Sequence, residues 1–363
     1  VGRALDYLSF YVSASLRVAS LARAIDVVVV KTDPPLLSVP VGLVARLCGA
    51  QMVNWMQDVY PEIAERLHVL PSKGPLAGTL RRLRNYSLRR ASMNVVLGRR
   101  MHEEVSALIG RIEPGHQDSP VTIVANWSDG ALVKPLEKSS LKAAWGLEGR
   151  FVVGYSGNMG RVHEFETVLR ACSLLQDEPD IVFLFVGSGH RKGATQKRAA
   201  ALGLRNLMFQ DYQPVERLAE SLSVADVHLA GLLPDLEGLV VPSKFYGIAA
   251  AGRPTVYVGD PKGEVPRLLH RFDVGVTVPE GDAAALAHVI RTLRDNPHMR
   301  QGMGVRARQA FERHWDRPIA LGQWQKVLEG VLLRAGSSSQ ASQSILPVGG
   351  APPPEQSPSS RAL

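Results

Sequence analysis

FVVGYSGNMGRVHEFETVL, residues 151–169, decides how the second half of this chain is read. FVVGYSG is rich in β-branched and aromatic residues and reads as a buried strand. Gly154, Gly157 and Gly160 surround Asn158 in a glycine-rich turn, and a helical pattern follows. Such a turn lets backbone come close to a diphosphate, although a plain strand-to-helix connection has the same composition. The unit then repeats. Further strands are read at 181–187, 207–211, 225–230, 255–260 and 274–278, with helices between them, and helical patterns continue at 283–293, 299–314 and 319–333.

The same alternation runs upstream. Strands are read at 25–32, 51–58, 93–98 and 121–127, with a long basic helix after Pro75 and another helix over 100–109. Strand and helix in alternation give a parallel α/β sheet. The pattern weakens over 129–148. The chain therefore divides into a doubly wound unit at 1–146, a second at 147–316, a helix at 317–335 that crosses back to the first, and a Ser-, Pro- and Gly-rich tail at 336–363 that is expected to be disordered. The first unit has fewer strands than the second, and the chain starts at Val1. At about 30 residues per βαβ unit, a front of about 60–80 residues is expected to be absent and the first domain incomplete.

A chain of 363 residues with 45% hydrophobic residues suits two domains with sizeable cores. The formal charge is +8 and the pI about 9.6. Arginines crowd RRLRNYSLRR, residues 81–90. A basic balance suits nucleic acid, an anionic membrane surface or phosphorylated substrates. Aromatics make up only 6% and no nucleic-acid-binding motif occurs, so nucleic acid is not expected as a partner. The arginine run fits an anionic membrane surface, or a solvated helix face. No stretch is apolar and long enough to span a bilayer. Residues 5–24 read as a helix with a broad apolar face that lies on a membrane or packs on a sheet. Cys48 and Cys172 match no metal spacing and read as small buried hydrophobes in a reduced compartment. No secretory signal is evident, so the expected location is cytoplasmic.

EGLVVPSKFYGIAAAGRP, residues 237–254, raises a specific question. Ser243 reads as an N-cap, which places Lys244 in the first helical turn. That end of a helix favours anions over cations. Lys244 either meets a bound phosphate together with the free N–H groups, or is exposed at a cost of about a few tenths of a kcal/mol.

Residues 237–254, together with GYSGNMGRVHEFETVL, VGSG (186–189) and QDVYPE (57–62), resemble the family-four retaining glycosyltransferases of GT-B fold. The subgroup they resemble is the bacterial fucosaminyltransferase-like enzymes of O-antigen and exopolysaccharide synthesis. The similarity covers most of 1–334 and is strongest over 151–254. It implies two Rossmann-like domains facing across a cleft, with the acceptor on the first and the nucleotide-sugar donor on the second. The quoted motifs follow strands and so line the carboxyl rim, where such sheets bind ligands.

The resemblance also implies roles. In the family an Arg just after the first turn's glycine and a Lys five residues later hold the donor phosphates. Here those places, after Gly157, read Asn158 and His163, and Arg161 between them is the candidate for the missing charge. Glu237 matches the first of two family glutamates and is expected on donor-sugar hydroxyls. The second, which holds the ribose, is replaced by Gly247. Ser243 and Lys244 are expected at the diphosphate. Gly187 and Gly189 form a second tight turn at the rim, and Asp211 and Tyr212 stand where the family places the base. On the acceptor side are Asp58, Tyr60, Glu62 and Trp127. Asp58 either orders an acceptor hydroxyl or caps the next helix. Trp127 either stacks on a sugar or closes the hinge.

The reaction so implied is sugar transfer, with retention, from a nucleotide-sugar donor, UDP-linked, to a polyprenyl-diphosphate-linked or glycan acceptor. It would take place at the inner face of the cell membrane, with Lys244, Arg161 and Glu237 as the catalytic group. No metal or other cofactor is expected. Two other readings are a UDP-sugar 2-epimerase on the same fold and an inactive nucleotide-sugar-binding partner of a true transferase.

Overall fold

The structure is a computed structural model that describes residues 2–23, 26–110 and 120–343. Its first half contains α1 (Gly2–Leu21), β1 (Val27–Lys31), α2 (Ser38–Leu47), β2 (Gln51–Trp55), α3 (Glu62–Arg66), α4 (Pro75–Arg90), β3 (Met93–Val96), α5 (Arg99–Gly110) and β4 (Val121–Ile123). The second half runs α6 (Ser140–Ala144), β5 (Phe151–Ser156), α7 (Glu166–Leu174), β6 (Ile181–Val186), α8 (Lys192–Ala201), β7 (Leu207–Gln210), α9 (Leu218–Ser223) and β8 (Val227–Gly231). It continues with α10 (Lys244–Ala250), β9 (Thr255–Val258), α11 (Glu264–Phe272), β10 (Gly275–Val278), α12 (Ala283–Asp295), α13 (Pro297–His314) and α14 (Arg317–Gln343).

Among the described residues all strands pair in parallel, in two sheets. The first has the order β1-β2-β3-β4 and the second β10-β9-β8-β5-β6-β7. The second sheet is buried on both faces, which is why its strands carry unbroken apolar runs such as IVFLFV. Its order reverses between β5 and β8. Loops leaving those two strands diverge to opposite faces, and the crevice between them is where open α/β sheets hold ligands. Gly154, in the middle of β5, belongs to the core and not to the turn. A Cβ there would lie 2.5 Å from that of Ala225 on the neighbouring chain segment.

The halves meet in one apolar cluster. Met56, Val59, Leu97 and Met101 of the first pack with Leu236, Leu239, Tyr246 and Trp315 of the second. After α13, the chain returns to the first sheet through α14, whose Trp324 and Val331 pack on Val53, Met93 and Val95. Asp316 fixes the crossing by accepting the Gly130 N–H at 2.9 Å.

Three sequence expectations shift. Leu141 and Leu147 pack with Val152, Leu184 and Val224, so the second domain's core starts ahead of residue 147. The strand expected over 121–127 stops at Ile123, and Val124 onward turns toward the junction. The tail expected from 336 continues α14 as far as Gln343, and 344–363 lie outside the described residues.

Candidate functional site

The β5 and β8 ends are stitched together by the turns that leave them. Leu233 donates its N–H to the Val162 carbonyl at 3.0 Å. Nearby, Gly157 N–H reaches Val186 O at 2.9 Å and Met159 N–H reaches Ser188 O at 2.8 Å, so the turn after β5 lies on the turn after β6. This contact explains the glycines. Gly187, at φ +135, has no room for a Cβ because the Gly157 carbonyl oxygen fills the space, and at Gly189 the Asn158 side chain and Met159 backbone do the same. Gly187 and Gly189, read from the sequence as a second tight turn at the rim, thus serve turn-on-turn packing.

Gly157 serves a different neighbour. It sits at φ +124, and a Cβ would lie 2.9 Å from Lys244 Cε. The lysine stem runs over this glycine toward the crevice. Its Nζ stands 2.7 Å from His163 Nε2 and 5.1 Å from the centre of the Tyr155 ring. His163 is buried, and its Nδ1 lies 2.9 Å from Gly231 O. A carbonyl can only accept, so Nδ1 carries the hydrogen and Nε2 offers a lone pair to the ammonium. Burial, then the Lys244 charge, lowers the imidazole to about 4, which keeps it neutral. Burial also lowers Lys244 to about 8, so the ammonium is mostly charged at neutral pH. Ser243 occupies the N-cap position but has helical dihedrals and makes no capping bond. α10 has only seven residues, so the cation rather than a helix dipole dominates here.

Glu237 lies beyond β8. Its Oε1 accepts the Tyr257 hydroxyl at 2.8 Å and its Oε2 the Glu264 N–H at 3.3 Å. Burial raises its carboxyl above the usual range, opposed by the Tyr257 hydrogen bond. A carboxylate offers about four lone-pair sites, so two remain for other donors. Arg161 is exposed and makes no ion pair among the described residues. Asn158 is exposed at the same turn. Asp211 is exposed and pairs with Lys192 at 2.6 Å, and Tyr212 is exposed with its ring edge beside Gly187.

In the first domain, Asp58 accepts the Thr32 hydroxyl at 3.2 Å, and burial raises its carboxyl. It does not cap α3, whose N-cap position is Pro61. Its backbone bridges antiparallel to Val240, and Val59 N–H reaches Leu239 O at 2.8 Å, so this loop touches the one that carries Glu237. Tyr60 is half-buried beside it. Glu62 is taken by the buried Arg84 in a two-pronged pair at 2.9 and 2.7 Å, which makes it a structural acid. Trp127 stacks on Trp55 with centroids 5.5 Å apart, and Trp55 meets Trp324 edge-on. A cavity of about 950 Å³ lies between Glu65, Arg66, His68, Lys73 and Arg81 of the first domain and Asp235 of the second, and Arg81 in it is paired with Glu65.

Glu264 and Tyr257 are absent from the sequence expectations. An acid in the first turn of a helix reads as an ordinary dipole partner, and a tyrosine inside a strand reads as core.

Two parallel-sheet Rossmann-like domains, with the crevice at the second domain's switch point, define the GT-B architecture. Residues 137–310 match the family model described as glycosyl transferases group 1. WbjE of Pseudomonas aeruginosa, a glycosyltransferase by name, is 29% identical over 280 residues, covering 76% of this chain and 68% of its own. WcaI of Escherichia coli K12, by name a colanic acid biosynthesis glycosyl transferase, is 28% identical over 341 residues, covering 90% and 80%. The solved structure of HepE from Anabaena in complex with UDP superposes with a TM-score of 0.69 at 14% identity, covering 90% of this chain and 84% of that one.

Proposed function

We propose that this chain transfers a sugar from a UDP-linked donor to a polyprenyl-diphosphate-linked or glycan acceptor in cell-surface polysaccharide synthesis, with retention at the anomeric carbon. The observation that carries this reading is the Lys244 ammonium, held over Gly157 at the β5/β8 crevice. The group 1 domain over 137–310 and the relatives' names support it, as does UDP in the HepE structure. The fucosaminyltransferase-like subgroup is the reading that its motifs suggest.

In the transfer, the bond from the anomeric carbon to the donor phosphate oxygen breaks, and a bond to the acceptor oxygen forms on the same face. Charge grows on the leaving diphosphate, and preorganised cations stabilise it most effectively there. Lys244 is in place for this, and Arg161 is free to swing in from the same turn. The acceptor proton passes to the departing phosphate oxygen, so no protein base and no resident metal are invoked. Glu237 takes donor-sugar hydroxyls on its remaining lone pairs, with Asp211 and Tyr212 toward the base. Asp58 and Tyr60 face the acceptor. Arg66 and Lys73 in the 950 Å³ cavity suit an acceptor diphosphate.

The same reading places the chain on an anionic membrane. Among the described residues no helix is long and apolar enough to cross one. Leu5, Leu8 and Leu16 of α1 are exposed. Within the basic run, Arg81 and Arg84 are engaged by Glu65 and Glu62, which leaves Arg82, Arg89 and Arg90 for the surface.

A thermal-shift screen of nucleotides and UDP-sugars tests the donor assignment. UDP and one UDP-sugar should raise the melting temperature, since a ligand at 100 times its Kd adds about 2.7 kcal/mol. No shift with any uridine nucleotide at millimolar concentration would refute it.

A further inference from the structure

Glu264 links the two domains at the rim, alongside the contact of the Asp58 and Glu237 loops, and it works from both of its ends. Its backbone N–H donates to Glu237 Oε2 at 3.3 Å, on the donor side. Its carboxylate reaches into the other domain, where Oε2 accepts the Arg99 N–H at 2.9 Å and the Arg100 N–H at 3.4 Å. Those groups open α5, a helix of twelve residues whose start would otherwise leave them unsatisfied. Gly98, just before them, has no side chain with which to cap the helix. The other carboxylate oxygen takes Arg267 at 2.5 Å, and the side chain is buried.

Three glycines make room for this arrangement. At Gly98 a Cβ would lie 2.7 Å from Glu264 Cδ. At Gly263 it would run into the Glu237 carboxylate. Gly238, at φ +81, brings the loop after Glu237 against Glu104 Cγ and the Arg100 carbonyl of the same α5 turn. A cap that served stability alone could come from α5's own domain. This one is shared with the acid next to the donor crevice.

We infer that Glu264 is a positioning residue that couples Glu237 to the first turn of α5, so that the donor-sugar contacts and the seating of the first domain are set together. The inference rests on the donor reading of this crevice only for its kinetic consequence. The bridge itself is a statement about hydrogen bonds.

Glu264→Ala tests it, with Glu264→Gln as the conservative partner, because an amide oxygen still accepts the two N–H groups. Hydrogen exchange at the Arg99 and Arg100 amides should accelerate by about ten-fold or more in Glu264→Ala, the factor that 1.4 kcal/mol gives. UDP affinity should stay within about two-fold, since Lys244 is untouched, while kcat for transfer falls by at least about ten-fold. Glu264→Gln should recover most of both effects. Unchanged exchange at the two amides overturns the bridge, whether or not the chain binds UDP. Accelerated exchange with kcat unaltered overturns the coupling. Equal loss of UDP affinity and kcat also overturns it, because Glu264 would then serve the donor domain's fold. Failure of the wild-type chain to bind UDP would instead remove the donor reading, and with it the kinetic half of this inference, leaving the exchange result to decide the bridge.

Discussion

Lys244 gives the sharpest expectation. Removing it as Lys244→Ala takes away a half-buried ammonium whose other contacts are a neutral imidazole and a tyrosine ring. A charge pair 4 Å apart is worth about 4 kcal/mol at an effective dielectric of 20 before the cost of desolvating the ions. A hydrogen bond to a charged group has a net value of about 1.5–3 kcal/mol. UDP affinity should therefore fall by about 1.5–3 kcal/mol in the variant, or roughly 10- to 150-fold. The pH dependence follows from the same geometry. With burial holding the ammonium at about 8, most of it is charged at pH 7 and about a tenth is at pH 9. The terminal phosphate of UDP is already about nine-tenths doubly ionised at pH 7, as the second phosphate ionisation lies near 6. Wild-type affinity should thus weaken by about ten-fold between pH 7 and pH 9, while Lys244→Ala should stay flat. Calorimetric titration of UDP at both pH values measures each slope. An affinity that Lys244→Ala leaves unchanged, or equal slopes in the two proteins, would refute the phosphate role of Lys244.

His163 and His228 are both buried with pKa lowered to about 4, chiefly by burial. The unfolded chain binds their protons at about 6.5, so stability falls as pH drops from about 6.5 toward 4, by about 2 kcal/mol per imidazole at pH 5; urea unfolding at pH 7 and pH 5 measures it, and His163→Asn should shrink the difference. Glu62→Gln strands the buried Arg84 guanidinium and should lose about 3 kcal/mol, since breaking a buried pair costs about 3–5 and Glu62 is partly exposed; a change under about 0.5 kcal/mol in chemical denaturation would contradict the structural assignment. Binding to phosphatidylglycerol vesicles should weaken as salt is raised, each basic residue near the leaflet contributing about 1 kcal/mol; no binding at low salt would dismiss the membrane reading.

The alternation of strands and helices was readable because both sheets are parallel and their strands carry unbroken apolar runs. Lys244 was also visible from local rules, as a cation at a helix start. The surroundings that make it a candidate site were not visible. The His163–Lys244 contact joins residues 81 positions apart and exists only because β8 returns to pair beside β5. Glu62 looked like a site acid, but its partner Arg84 stands 22 residues on, in a basic run that read as a surface. The glycines at 187 and 189 read only as a tight turn at the rim, and what packs on them is the neighbouring turn. Glu264 was hidden for a similar reason, since its partners lie about 165 residues away in the other domain.

Sugar transfer from a uridine nucleotide donor is measured directly by label transfer. Purified chain is incubated with a UDP-sugar labelled in the sugar, chosen by thermal shift, and a short polyprenyl-diphosphate-linked sugar. Label should appear on the lipid-linked product in the donor's own anomeric configuration, with release of one UDP per sugar moved, and this activity should be lost in Lys244→Ala. An epimerised donor with no labelled acceptor would show an isomerase instead. Tight UDP-sugar binding without either product, on acceptors that a known transferase accepts, would make the chain a binding partner and contradict the claim.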